Sequence, residues 1–157
     1  MIRRHIVLAA LGVAAVGFGG TAAYGLVAED HAAAGAKPAF AQLLGAGEAP
    51  AKGDPDARGA ASIQVVSPTK VCFSLIVNGV VKPNQAHIHQ GPKGVAGPIV
   101  VILKQPASGT AGTSAGCVTA APSVVSQIAA KPGSFYVNVH NKPFPGGAMR
   151  GQLAAAR

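Results

Sequence analysis

The chain of 157 residues contains no acidic residue after Asp56. Its five acidic residues are Glu29, Asp30, Glu48, Asp54 and Asp56. Paired-carboxylate glycosidases need two acids at the scissile bond, a Ser-His-Asp triad needs an orienting acid, and an acid-rich calcium site needs several carboxylates. The sequence therefore excludes these chemistries from residues 57–157, and only the acids at 48, 54 and 56 are available to them within the domain.

Tryptophan is also absent, and aromatic residues make up only 4% of the chain, although the net charge is +8. Proteins that bind nucleic acids usually combine clustered Lys and Arg with aromatic side chains on which bases stack. Here the cationic residues after residue 36 stand singly, without a run or a helical stripe. We expect a solvated basic surface and no nucleic-acid partner.

No charged residue interrupts residues 6–28, and Arg3 and Arg4 precede them. A basic start followed by an apolar run and small residues is typical of an export signal. The segment is either a cleaved signal peptide, which we favour, or an uncleaved anchor that attaches the protein to a membrane. We therefore assign residues 1–28 to a signal or anchor helix, 29–42 to a linker and 43–155 to one domain, and expect an extracellular or envelope partner.

Only two cysteines are present, Cys72 and Cys117. An even number of cysteines behind an export signal favours a disulfide, because exported proteins fold in an oxidising compartment. The alternative is two unrelated buried thiols. A disulfide between these residues would stabilise the fold by about 4 kcal/mol in the chain-entropy treatment.

Short alternating segments between loops rich in Gly and Pro predict strands, and residues 99–103 form an apolar run suited to a buried strand. Residues 122–130 predict one short helix, with Pro122 in its first turn. Residues 106–116 are rich in Gly, Ser, Thr and Ala and predict a loop. The pattern favours an all-β sandwich or barrel of about seven strands with one short helix.

Histidines and other polar side chains recur at every second position in two predicted strands. One is Ala86-His87-Ile88-His89, and the other is Tyr136-Val137-Asn138-Val139-His140. Residues two apart in a strand share a face, so three imidazoles and an amide would converge if these strands were neighbours.

The chain resembles the CHRD domain, a family common in exported bacterial proteins, from about residue 43 to residue 153. The matching motifs are Glu48-Ala49-Pro50, Ala86-His87-Ile88-His89-Gln90-Gly91-Pro92, Gly97-Pro98-Ile99-Val100-Val101, Tyr136-Val137-Asn138-Val139-His140 and Pro145-Gly146-Gly147-Ala148-Met149-Arg150-Gly151-Gln152-Leu153. Many relatives carry an acid where this chain has Ala148. The resemblance implies an immunoglobulin-like β-barrel and implies little about activity. A weaker similarity to copper/zinc superoxide dismutase rests on the His-x-His strand and the Gly-rich loop that follows it.

The three domain histidines permit two interpretations. They either bind a metal ion, with copper favoured over zinc and with Tyr136, Asn138 and Arg150 supporting the ligands, or they form a hydrogen-bonded network that fixes one end of the barrel. We favour an exported, non-catalytic binding module with this three-histidine site. The alternatives are a protein of copper handling and, least favoured, a copper-only redox enzyme similar to superoxide dismutase.

Overall fold

Nine β-strands and one α-helix make up the part of the chain that the computed structural model describes, residues 36–108 and 111–157. The strands are β1 (Ala39–Leu44), β2 (Arg58–Ser67), β3 (Lys70–Asn78), β4 (Pro83–Gln90), β5 (Ile99–Leu103), β6 (Ala111–Thr119), β7 (Phe135–Asn141), β8 (Met149–Gln152) and β9 (Ala154–Ala155). The helix α1 spans Pro122–Ala130, as its sequence predicts. The signal or anchor assigned to residues 1–28 lies outside the described residues.

The strands form one antiparallel sheet in the order β5-β4-β7-β8-β1-β2-β3-β6, and β9 pairs with β1. The two ends of this sheet approach each other, because the Oγ of Ser114 in β6 donates to the carbonyl of Lys104, which follows β5, over 2.8 Å. The result is a nearly closed barrel, so the prediction of an all-β sandwich or barrel with one short helix is confirmed.

Strands β4, β7 and β8 carry two different sets of side chains on their two faces. Their core face is apolar and packs into the centre of the barrel with Ile88, Val137 and Met149. The opposite face carries the polar residues, because side chains alternate along a strand. These residues are His87 and His89 in β4, Tyr136, Asn138 and His140 in β7, and Arg150 and Gln152 in β8.

Strand β6 occupies most of the segment 106–116, so the prediction of a loop there is wrong. Its nine residues pair with β3 from end to end, although only Gly112 and Ser114 are buried. Backbone pairing with a long neighbour, rather than apolar alternation, therefore forms this strand. At the other end of the chain, β1 begins at Ala39 and takes residues 39–42 from the segment assigned to the linker, because Ala39 and Ala41 belong to the core.

A disulfide joins Cys72 in β3 to Cys117 in β6, as the paired cysteines predict. The two residues lie directly opposite each other in the β3–β6 pairing. The bond therefore ties an end strand of the sheet to its neighbour. Among the described residues, no helix has the length and hydropathy that crossing a membrane requires.

Candidate functional site

Three imidazoles converge on the polar face of β4 and β7. One ring nitrogen from each of His87, His89 and His140 lies within 4.8 Å of the other two. The Nδ1 of His87 donates a hydrogen bond of 3.3 Å to the Nε2 of His140, whose own Nδ1 hydrogen is directed to the carbonyl of Pro145. The antiparallel register explains the convergence, because His87 and His89 lie opposite Asn138 and Tyr136, and Gln85 lies opposite His140. The structure thus brings together the three histidines that the sequence singled out.

Backbone carbonyl groups orient two of these rings. The Nδ1 of His89 donates to the carbonyl oxygen of Gly97 over 2.9 Å. The Nδ1 of His140 donates to the carbonyl oxygen of Pro145 over 3.0 Å. A neutral imidazole whose Nδ1 carries the hydrogen presents a lone pair at Nε2. Both rings therefore carry a basic nitrogen at Nε2, and that of His140 faces His87.

The cluster also contains a buried polar atom without a partner. His89 is only 9% exposed, and its Nε2 makes no hydrogen bond to any described residue. A buried acceptor without a partner costs about 1–3 kcal/mol, and a bound water or ion is one way of satisfying it. The Oδ1 of Asn138 and the Oε1 of Gln152, on the same face, also have no partner among the described residues. In this cluster the unpartnered atom is the nitrogen that would bind a metal ion.

All three histidines are kept neutral by their surroundings. Burial lowers the pKa of His87 to about 4, and the neighbouring His140 and His89 add to this effect. Burial also lowers the pKa of His89 and of His140, although the hydrogen bonds to Gly97 and Pro145 oppose the shift. Metal ions bind the neutral form of histidine, so these rings are ready to bind at neutral pH.

The loop between β4 and β5, residues 91–98, contacts His89 and Tyr136 and is fixed at Gly97. This glycine accepts from His89 through its carbonyl, and its amide donates to the hydroxyl oxygen of Tyr136 over 3.0 Å. A side chain at this position would overlap the carbonyl of Gln90, so the close approach requires glycine. Arg150 holds the same loop by donating to the carbonyl of Val95 over 2.9 Å.

Tyr136 and Arg150 also form a stack behind His89. The Tyr136 ring lies parallel to the His89 ring, with centroids 4.8 Å apart. The guanidinium carbon of Arg150 lies 3.7 Å from the centre of the Tyr136 ring. Tyr136 is in the central strand β7, whereas His89 and Arg150 come from its two neighbours, so the phenol ring separates the guanidinium from the imidazole.

Asn138 contacts an acid instead of a histidine. Its Nδ2 donates to the Oε1 of Glu48 over 2.6 Å, and both side chains are buried. Burial raises the pKa of Glu48 to about 7, although the charge of Arg150 opposes the shift. Gly147 leaves room for this carboxyl group, because a Cβ there would overlap the carboxyl atoms.

One pair of nitrogens has the spacing that a small transition-metal ion requires, and the third donor atom lies within 4.8 Å of both. Two nitrogens that each lie about 2.0 Å from a zinc ion, at a tetrahedral angle, are about 3.3 Å apart. The Nδ1 of His87 and the Nε2 of His140 have this spacing. Imidazoles that also donate to backbone carbonyls are typical of metal sites, because the second hydrogen bond fixes ring orientation.

The sequence did not predict the parts played by Gly97, Pro145 and Glu48. Gly97 and Pro145 act through backbone carbonyls, which no side-chain pattern reveals. Glu48 lies 90 residues from Asn138 along the chain. Its position in the Glu48-Ala49-Pro50 motif was the available signal.

A family model for the CHRD domain matches residues 39–153 of this chain. No curated protein and no solved structure matches the chain.

Proposed function

This chain belongs to the CHRD domain family, and we propose that its domain is an exported, non-catalytic module that binds one copper or zinc ion through His87, His89 and His140. The observation that carries the proposal is the convergence of three neutral imidazoles, one of which, His89, has an Nε2 without a hydrogen-bond partner among the described residues. Nitrogen donors suit copper and zinc, and among divalent ions copper binds more tightly to a given set of ligands. Copper is therefore the favoured ion.

Export is supported by the disulfide between Cys72 and Cys117, since disulfides persist mainly in oxidising compartments. The partner that we propose is a component of the cell envelope or the extracellular space. Attachment to a membrane through residues 6–28 would keep the domain at that location.

Binding without catalysis is supported by the burial of the site. The histidines are 6% to 9% exposed, and the loop 91–98, which Tyr136 and Arg150 hold, contacts His89. Such burial limits the access of a substrate to a bound metal ion. An assay of superoxide dismutation by the copper-loaded protein separates this proposal from a copper redox enzyme, and we expect no activity above that of free copper.

The decisive experiment is calorimetric titration with copper and with zinc. Each metal-free variant is titrated side by side with the metal-free wild type. We expect one ion per chain and an affinity loss of more than tenfold in His89→Ala, because the substitution removes a ligand. Lys131→Ala, an exposed change at the end of α1, is the control and should bind as the wild type does. If the wild type binds neither zinc nor copper, with copper tested both as Cu²⁺ and anaerobically as Cu⁺, at micromolar concentration, the proposal fails and the histidines are a structural hydrogen-bonded network.

A further inference from the structure

Among the residues that the structure describes, no anionic group belongs to the three-histidine cluster. Within residues 36–108 and 111–157, the acids are Glu48, Asp54 and Asp56, and both cysteines are in the disulfide. Glu48 is bonded to Asn138, and Asp56 is exposed. An ion held by three neutral imidazoles therefore keeps its whole charge in a buried site.

The positive charge of Arg150 lies near His89, one of the proposed ligands, with the Tyr136 ring stacked on His89 and in contact with the guanidinium. Arg150 is 4% exposed, so water screens its guanidinium poorly. Glu48 offsets this charge only in part, because burial raises its pKa to about 7.

From this arrangement we propose that the site is selective for Cu⁺ over Cu²⁺ and Zn²⁺, an inference that rests on the metal-binding function proposed above. The cost of transferring an ion into a buried site grows with the square of its charge, so a divalent ion costs about four times as much as a monovalent one. Repulsion from Arg150 is twice as large for the divalent ion. Zn²⁺ in proteins usually has four ligands and Cu²⁺ takes tetragonal sites, so three nitrogens complete neither geometry without a water or another ligand.

The test compares three ions on the same metal-free protein. Cu⁺ affinity is measured anaerobically by competition with a chromophoric Cu⁺ chelator, and Zn²⁺ and Cu²⁺ affinities by competition with chelators of known strength. We expect Cu⁺ to bind at least about a hundredfold more tightly than Zn²⁺, and the potential of bound copper to exceed that of aqueous copper, because burial and charge both favour the lower charge.

Variants of Arg150 test the electrostatic cause. Arg150→Gln removes the charge, whereas Arg150→Lys keeps it. We expect the glutamine variant to lower the ratio of Cu⁺ to Cu²⁺ affinity by about tenfold, equivalent to ~59 mV, and the lysine variant to keep most of the ratio. If either variant does not fold, the affinities and potential of the wild type still decide the question.

The outcomes separate the two proposals. Tight Cu⁺ binding with weak Zn²⁺ binding supports both. Zn²⁺ or Cu²⁺ binding as tight as that of Cu⁺ overturns the selectivity and leaves the metal-binding function standing. Absence of binding by all three ions overturns the proposed function itself. Equal potentials in wild type, Arg150→Gln and Arg150→Lys overturn the electrostatic basis of the selectivity.

Discussion

His89 donates its Nδ1 hydrogen to the backbone carbonyl of Gly97 over 2.9 Å, so a loop residue without a side chain sets the orientation of a buried imidazole. The same glycine donates its amide hydrogen to Tyr136. One peptide segment therefore fixes both members of the His89–Tyr136 stack.

Gly97→Ala should weaken copper binding by about 10- to 100-fold, the range typical of lost support for a ligand. The added methyl group would overlap the carbonyl of Gln90 and displace the loop. Gly146→Ala is the matched control, because a Cβ there meets no atom within 4 Å. Calorimetry on both variants checks this prediction, and equal affinities would show that the loop does not orient the ligand.

Lowering the pH should destabilise the metal-free protein through His87. Its pKa is 6.5 in the unfolded chain and about 4 in the fold, so the unfolded state binds the proton first. The contribution of neutral His87 to the free energy of unfolding is complete above pH 6.5 and is lost as the pH falls toward 4. The loss is about 3 kcal/mol. Urea unfolding at several pH values measures the loss.

The matched variant for this titration is His87→Gln, which does not titrate. We expect its stability to fall less steeply between pH 6.5 and 4 than that of the wild type. A smaller slope remains, because the pKa values of His89 and His140 are also lowered. Identical slopes in the two proteins would contradict the assignment to His87.

Glu48 should have the opposite pH dependence. Its pKa rises from 4.5 in the unfolded chain to about 7 in the fold. The protonated carboxyl group contributes fully to the free energy of unfolding below pH 4.5, and this contribution is lost as the pH rises from 4.5 through 7. Glu48→Gln keeps the acceptor oxygen for Asn138 without this cost, so we expect it to be more stable than the wild type at pH 8, by about 2–3 kcal/mol.

Urea unfolding from pH 5 to pH 8 compares the glutamine variant with the wild type. Asp56→Asn, on an exposed loop, is the control and should change stability by less than about 0.5 kcal/mol. An advantage of Glu48→Gln that does not grow with pH would rule out titration of the buried carboxyl group as its cause.

Removing the disulfide should lower stability and leave the metal site intact. Cys72 and Cys117 join β3 to β6, whereas the histidines are on β4 and β7. The double variant Cys72→Ala/Cys117→Ala should lose about 2–4 kcal/mol of unfolding free energy. Copper affinity at a temperature where the variant is folded should match that of the wild type, and a large loss would mean that the two regions are coupled.

Local patterns predicted much of this fold and of the candidate site. Alternation in β4 and β7 placed His87 and His89 on one face, because the side-chain period of a strand depends only on the strand itself. Pro122 and the apolar positions after it predicted α1 with the bounds that the structure has.

Features that depend on distant parts of the chain were not predicted. Strand β6 lacks apolar alternation and forms because β3 supplies its hydrogen-bond partners. The carbonyls of Gly97 and Pro145 reach the histidines only after the loops have packed, so no residue type signals them. The contact between Glu48 and Asn138 likewise depends on tertiary structure.

Point substitutions and length changes in β7 should have very different evolutionary outcomes. Val137 and Val139 face the core, whereas Asn138 and His140 alternate with them on the polar face. Replacing one polar residue changes the chemistry and leaves the core composition untouched. Inserting or deleting one residue within β7 would send valines to the polar face and polar groups into the core. New binding preferences in this domain would therefore arise by codon substitution, whereas frame-preserving insertions in this strand would be eliminated by selection.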